Sequence, residues 1–398
     1  MTKSVFVTVG TTKFDDLIDK IDSPKLFNIL LKYGFNKMII QIGNYSGTIE
    51  NSLPFDENNN NNNKTNSKTT TSTTTTAKFE SLYFDYKPSL SEFMKNSDLI
   101  ISHAGSGSIL ESLENNKPCI CVVNDKLMDN HQKELADKLS NLSYILSTNP
   151  TSLYETIETK LDEYLKNRIY LDKSIHQKAQ QQFATSLSNQ FKLINNNEDD
   201  NTKTSSSSST TTTTTTTNSK KKFKTMVVLG SGGHTTEMFY LLKKVDKNKF
   251  NPITYVLADS DKRSEDKIKI EDTSSPIIKK IPRSRNVGQS FFNSIFTTLI
   301  ALFYSMLLVF KEKPDCLLCN GPGTCVPLAV CVLLLRWLRI GKGSKIIYIE
   351  SLARVNDLSL SGKILQHISD WFVVQWPELL SKTDSSNVSC INLFFETF

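Results

Sequence analysis

Short apolar runs alternate with amphipathic stretches along most of this chain. Val5 to Val9, Met38 to Ile42, Leu82 to Tyr86, Asp98 to Ser102 and Cys119 to Val123 have the length and apolar character of strands. Between them Phe14, Leu17, Ile18 and Ile21 recur at helical spacing, and helices fit Ser89 to Asn96, Gly107 to Asn115 and His131 to Leu142. Apolar strands alternating with helices predict a parallel sheet covered on both faces. Residues 151–193 are polar and rich in Lys and Gln, and suit packing helices that close this half.

The pattern restarts near residue 225. Strands fit Met226 to Leu229, Ile253 to Ala258, Ile277 to Ile281, Asp315 to Cys319, Ile346 to Glu350 and Trp371 to Gln375. A helix after the first of these carries Met238, Leu241, Leu242 and Val245 on one face. Asp315 and Asp370 each open a strand after a helix, as Asp98 does in the first half. Phe291 to Phe310 is long and uncharged, and on length alone spans a bilayer. It also holds Asn293, Ser294, Thr297, Thr298 and Ser305 where a crossover helix is required, so a buried or membrane-dipping helix is expected instead. Val326 to Leu338 has similar character, broken by Pro327 and Arg336.

Two tracts interrupt the α/β rhythm. Residues 57–76 are almost all Asn, Thr, Ser and Lys and read as a disordered loop inserted within a domain. Residues 195–224 separate the two strand-helix series and read as a disordered linker. The expected domains are therefore 1–194 and 225–398. The chain of 398 residues suffices for two domains, and its hydrophobic fraction of 38% is low because of these tracts.

The net charge of +6 is mild, and Lys220-Lys221-Lys222-Phe223-Lys224 supplies much of it. That cluster suits a solvated linker end or an anionic membrane surface, and the absence of the usual aromatic-plus-basic motifs argues against a nucleic-acid partner. The first ten residues lack the pattern of a signal peptide, so the chain is expected to meet cytosol. There the sequons at Asn44, Asn141 and Asn387 stay unmodified, and the odd count of seven cysteines fits reduced thiols. Cys316 and Cys319 are spaced to opposite faces of a strand and read as small apolar residues rather than co-ligands.

Candidate chemistry gathers where strands end. Gly230-Ser231-Gly232-Gly233-His234 follows a buried strand and opens a helix, which brings backbone N–H groups close to a phosphate. A tight packing turn explains the same glycines. Ser102-His103-Ala104-Gly105-Ser106-Gly107-Ser108 is a second phosphate loop, with Glu111 about one turn into its helix, placed for ribose hydroxyls or simply solvated. Asn124 to Gln132 crowds amide and imidazole groups suited to sugar hydroxyls, or forms a polar loop with an N-cap at Asn130. Gly10-Thr11-Thr12, Asn320-Gly321-Pro322-Gly323-Thr324 and Glu350-Ser351 occupy equivalent positions after other strands.

These motifs resemble a known family. Val5 to Gly10 with Thr11, Thr12, Phe14, Asp15, Asp16, Leu17 and Ile18, then Gln41-Ile42-Gly43, Ser102 to Ser108 and Asn130-His131-Gln132, look like the catalytic subunit of the eukaryotic N-acetylglucosaminyltransferase that makes dolichyl-diphosphate-chitobiose. Gly230 to Glu237, Ile281 to Arg285, Cys319 to Pro327 and Gln375-Trp376-Pro377 resemble its membrane-anchoring partner subunit.

The resemblance implies a GT-B fold of two Rossmann-like α/β domains facing a cleft, similar to the bacterial enzyme that forms lipid II but with the halves in swapped order. It implies transfer of GlcNAc from UDP-GlcNAc to dolichyl-diphosphate-GlcNAc on the cytosolic face of the endoplasmic reticulum, a step of lipid-linked oligosaccharide assembly for N-glycosylation. The two subunits here form one polypeptide, each half the other's partner; other early glycosyltransferases are further expected partners.

Donor residues are then Gly10, Thr11, Thr12, His103, Gly105, Ser106, Gly107, Glu111, Asn130, His131 and Gln132. Acceptor residues are Gly230, Ser231, Gly232, Gly233, Asn320, Gly321, Gly323 and Glu350. His234 stands as base or as a donor to phosphate. No metal or other cofactor is expected, because fixed dipoles can hold the diphosphate.

Three departures accompany the resemblance. The lysine cluster stands where the partner subunit's membrane span would, the first half carries the insert, and Val388 to Phe395 looks unlike the family's terminal segment. Rival expectations are a GT-B transferase with another lipid acceptor, a nicotinamide or flavin oxidoreductase using Asp259, and a noncatalytic sugar-nucleotide sensor.

Overall fold

The computed structural model describes residues 3–56, 79–126, 131–191, 221–284, 291–340 and 343–394. They form two compact units, one of residues 1–173 with 352–355, the other of 174–351 with 356–398.

In the first unit the elements run β1 (Lys3–Thr8), α1 (Asp15–Ile21), α2 (Pro24–Lys32), β2 (Phe35–Gln41), β3 (Leu53–Pro54), β4 (Glu80–Phe84), α3 (Ser91–Asn96), β5 (Leu99–His103), α4 (Ser106–Glu114), β6 (Cys119–Val122), α5 (His131–Asn141), β7 (Leu146–Thr148) and α6 (Leu153–Asn167). The seven-stranded sheet has the order β3-β4-β2-β1-β5-β6-β7 and is parallel. Val5, Val7, Ile40, Ile101 and Ile120 pack against Leu17, Leu26, Leu30, Ile157 and Leu161 in a dry core. The strand order reverses between β1 and β5, which opens a crevice at their carboxyl ends.

The second unit repeats the plan. After α7 (Lys173–Gln190) come β8 (Thr225–Val228), α8 (Gly233–Leu242), β9 (Ile253–Ala258), α9 (Lys262–Glu271), β10 (Ile277–Ile281), α10 (Phe291–Glu312), β11 (Cys316–Asn320), α11 (Cys325–Trp337), β12 (Lys345–Ile349), α12 (Leu360–Leu365), β13 (Trp371–Val374), a 3-10 turn (Pro377–Lys382) and β14 (Val388–Cys390). The sheet order is β10-β9-β8-β11-β12-β13-β14, again parallel, with its reversal between β8 and β11.

The three strand-opening aspartates share one task. The carboxylate of Asp98 accepts the backbone N–H of Ser4, that of Asp315 the N–H of Lys224 and that of Asp370 the N–H of Ile346, each at 2.8 Å. Each thus satisfies an orphan donor where a neighbouring strand begins.

The boundary between units falls at Lys173 rather than at 194. Sequence periodicity assigns α7 to the first half, but its apolar face is buried in the second unit. Phe183 stacks on Trp371 with ring centroids 5.4 Å apart, and His176 is hydrogen-bonded to Tyr240. Just past α7, Phe191 meets Phe223 at 4.7 Å. Most of the linker tract, 192–220, and the insert, 57–78, lie outside the described residues.

Helix α10 is not a buried crossover. Ala301, Ser305 and Val309 make one narrow buried stripe, while Phe296, Leu299, Phe303 and Leu307 are each more than half exposed. Only 17% of residues 295–312 is buried, and the segment is long and apolar enough to cross a membrane. Val330, Leu333 and Trp337 of α11 are exposed as well. Cys316 and Cys319 are buried and free, as expected from their spacing.

Candidate active site

In the first unit the turn after β1 is built around Gln41. Its amide oxygen accepts from the Thr8 hydroxyl at 2.7 Å and the Gly10 N–H at 2.9 Å, and its amide nitrogen donates to the carbonyls of Gly10 and Asp85 at 3.0 and 3.1 Å. A polar residue ending a buried strand is the only sequence sign of this clamp.

Gly10 has φ of +58°, and a Cβ there would run into the His103 ring, as would one at Gly105. The imidazole is therefore seated between two glycines. Burial pushes its pKa down to about 4, with a hydrogen bond to the Thr8 backbone pulling the other way, so the ring is neutral near pH 7. Its Nδ1 is buried with no hydrogen-bond partner among the described residues.

Gly105 is the N-cap of α4 without a side-chain cap, and Ser106 and Gly107 follow, buried, in the first turn. Glu111 is partly exposed on the second turn. Thr11 is exposed and Thr12 partly so. His131 and Gln132 open α5, beyond β6, and Asn130 lies outside the described residues. The fold thus brings Gly10, His103 and Gly105 into contact and sets Ser106 and Gly107 beside them. Glu111 lies on the second turn of α4, and His131 and Gln132 open α5 after the next strand, β6.

In the second unit Gly232, at φ of +66°, is the N-cap of α8 and also lacks a side-chain cap. The Thr235 hydroxyl reaches back to the Gly230 carbonyl and to Ser264 Oγ, which ties the glycine turn to α9. Ser231 is exposed, Gly233 partly so, and Gly230 buried.

His234 lies on Gly321, at φ of +71°, where a Cβ would overlap the ring. Its Nδ1 is 3.2 Å from Asn320 Oδ1. Asn320 Nδ2 donates to Glu237 Oε2 at 3.4 Å, and the Ser351 hydroxyl donates to Glu237 Oε1 at 3.3 Å. The Ser351 N–H then donates to Glu350 Oε1 at 2.9 Å. Glu350 Oε2 accepts from the Ser359 N–H at 2.9 Å and its hydroxyl at 3.0 Å.

A continuous polar chain therefore crosses the ends of β11 and β12, and Glu237, Asn320 and Glu350 are each at most 1% exposed within it. Tyr348, buried beside the Glu350 carboxylate, has its phenol pushed well above the usual range, by desolvation first and then by that charge. Glu350, grouped by sequence with the acceptor residues, faces Tyr348, Ser351 and Ser359 and holds their loop; Gly323 is exposed. Glu237 was the residue hardest to foresee. It sits on α8 among Met238, Leu241 and Leu242, and its partners come from distant strands. Among the described residues no group of three or more His, Cys, Asp and Glu side chains is placed to hold a metal ion.

Comparison with known proteins divides the chain at the linker tract, so α7 falls within the first match although it packs in the second unit. The family model described as "Oligosaccharide biosynthesis protein Alg14 like" matches residues 225–391. Mouse UDP-N-acetylglucosamine transferase subunit ALG14 (Mus musculus) is 46% identical over 175 residues, covering 41% of this chain and 80% of that protein. The human protein of the same name (Homo sapiens) is 48% identical over 172 residues, covering 40% and 79%. The chain belongs to the Alg14-like family.

Residues 4–191 match the model of the glycosyltransferase family 28 C-terminal domain. The solution NMR structure of ALG13 is 30% identical, covers 42% of this chain and 88% of that one, and superposes with a TM-score of 0.31. The polypeptide is an ALG13/ALG14-like fusion, with the glycosyltransferase domain first. His234, Glu237, Asn320 and Glu350 all lie in the Alg14-like span, which also includes β14, so the match continues into the segment from Val388 that was expected to look unlike the family's end.

Proposed function

We propose that this fusion transfers GlcNAc from UDP-GlcNAc to a GlcNAc-diphosphate-polyprenol, dolichol in the cell, with inversion at the anomeric carbon. One observation carries the reading. Two crevices of matching construction, each with a histidine seated on glycine, occur in a chain whose domains match a glycosyltransferase family and the ALG14 subunits.

In this reading the N–H groups at Gly105 to Gly107 hold the UDP diphosphate at the start of α4. Glu111 takes ribose hydroxyls, while Asn130 and Gln132 orient the sugar. Gly230 to Gly233 hold the acceptor diphosphate at the start of α8. The acceptor 4-oxygen attacks C1 as the bond from C1 to the β-phosphate oxygen breaks. Its proton passes to His234, and UDP leaves with the bonding electrons. Fixed backbone dipoles replace a divalent metal. His103, with its ring buried and neutral, acts as a brace beneath Gly10 and Gly105.

The exposed apolar faces of α10 and α11 meet the cytosolic face of the endoplasmic reticulum, where the acceptor lipid resides. The double substitution Phe296→Glu with Phe303→Glu should abolish co-sedimentation with liposomes and leave the urea midpoint unchanged. Retained liposome binding would exclude this face.

The deciding assay mixes purified chain, labelled UDP-GlcNAc, short-chain GlcNAc-diphosphate-polyprenol and a chelator. Disaccharide product without added partner supports the reading. Sugar nucleotide bound but never consumed would support a sensor instead, and product that vanishes with chelator would restore a metal.

A further inference from the structure

We infer that Glu237, acting through Asn320, is a positioning residue that fixes the tautomer of His234 and so leaves Nε2 as the proton-accepting nitrogen. The inference rests on the reading of His234 as base and adds how that base is made competent.

The geometry allows little choice. A carboxylate only accepts hydrogen bonds, so the atom of Asn320 that faces Glu237 Oε2, 3.4 Å away, is the amide nitrogen. The other amide atom, the oxygen, therefore faces His234 Nδ1 at 3.2 Å. An amide oxygen has no hydrogen to give, so Nδ1 must carry one. In a neutral imidazole the lone pair then sits on Nε2.

The arrangement is held from both ends. Glu237 is 1% exposed and is further fixed by the Ser351 hydroxyl on its other oxygen at 3.3 Å. Asn320 is fully buried at the end of β11. The imidazole cannot swing into another pose on this side, because its face lies directly on Gly321. Once Nε2 takes a proton, the ring stays bonded to Asn320 Oδ1 through Nδ1–H.

Replacing Glu237 by glutamine supplies a second amide that can present hydrogen to Asn320. Asn320 can then turn over and point its nitrogen at His234, which forces Nδ1 to accept and moves the hydrogen to Nε2. The base is then blocked without any change of size.

The test uses the full chain labelled with 15N-histidine and long-range proton–nitrogen correlation spectra. Five histidines make the spectrum tractable, and His234→Gln identifies the signal by its loss. In the native protein the His234 ring should be in the Nδ1–H form. In Glu237→Gln the Nε2–H form should grow, and turnover should fall about ten- to a hundred-fold with the KM for sugar nucleotide unchanged. Glu350→Gln, an equally buried carboxylate that does not touch Asn320, should leave the His234 tautomer as it was.

A native ring in the Nε2–H form overturns the inference and needs no variant to show it. So does a tautomer that is the same with and without Glu237, or one that shifts equally in Glu350→Gln. Failure of the base reading looks different. In that case His234→Gln turns over at a near-native rate while the tautomer result stands.

Discussion

His103 and His234 each sit where the strand order of their sheet reverses, but His103 ends β5 while His234 opens α8 after β8, and their surroundings differ in kind. Each ring lies on a glycine of positive φ, Gly10 beneath one and Gly321 beneath the other. His103 is closed in, with its Nδ1 unpartnered among the described residues and its charged form disfavoured. His234 is partly exposed and anchored by one nitrogen to a buried amide and carboxylate. The same backbone device thus serves once to fill space under a turn and once to hold the ring proposed as the base. What separates the two is the hydrogen-bond partner, not the seat.

The sharpest way to break this contrast is to remove each ring. His234→Ala should cut turnover by about a hundred- to ten-thousand-fold and leave UDP affinity intact. His103→Ala should act first on stability and donor binding. Equal effects on turnover from both would collapse the distinction.

Next come the seats. Gly321→Ala strains the backbone and displaces the His234 ring, so turnover should fall about a hundred-fold while UDP still binds. Gly10→Ala should instead raise the KM for the sugar nucleotide, read by initial rates at varied UDP-GlcNAc.

A third effect belongs to His103 alone. Its folded pKa of about 4 lies below the ordinary histidine value of 6.5, so the unfolded chain binds more protons between those two pH values. Its contribution is fully present above pH 6.5 and is lost as pH falls toward 4, a change of about 3 kcal/mol at most. Urea unfolding across that window should show the slope in the native chain and a shallower one in His103→Gln. An identical slope in both would assign the acid sensitivity elsewhere. The smallest effect is expected at the far end of the polar chain. Ser359→Ala removes the N-cap of α12 and one bond to Glu350, and should cost about 1 kcal/mol with little change in turnover.

Much of this was legible in sequence because the central strands carry apolar runs and glycine turns follow several of them directly. The reversal points at β1/β5 and β8/β11 came only from the fold, because a turn marks where a strand ends and not which strand lies beside it. Shorter elements were not legible. The pairs and triplets of β3, β7 and β14 carry too few residues to show a period, and α2 begins at Pro24 in what reads as a turn. The ownership of α7 was hidden for another reason. An amphipathic pattern says that a face is covered, not what covers it. The chain from His234 to Glu350 was hidden because its members come from positions 234, 237, 320, 350 and 351, and only the fold assembles them.

The contact of Phe191 with Phe223 has a consequence for how this polypeptide can be cut. Phe191 and Phe223, which flank the Asn/Ser/Thr stretch, lie side by side in the second unit, so the ends of that stretch are close together. Its length is nearly free to vary, since each doubling of such a loop adds only about 0.6 kcal/mol of closure entropy. Proteolysis within 192–220 should therefore leave two fragments that co-elute on a sizing column, clasped by the aromatic face of α7. Fragments that separate would show the covalent link to be essential.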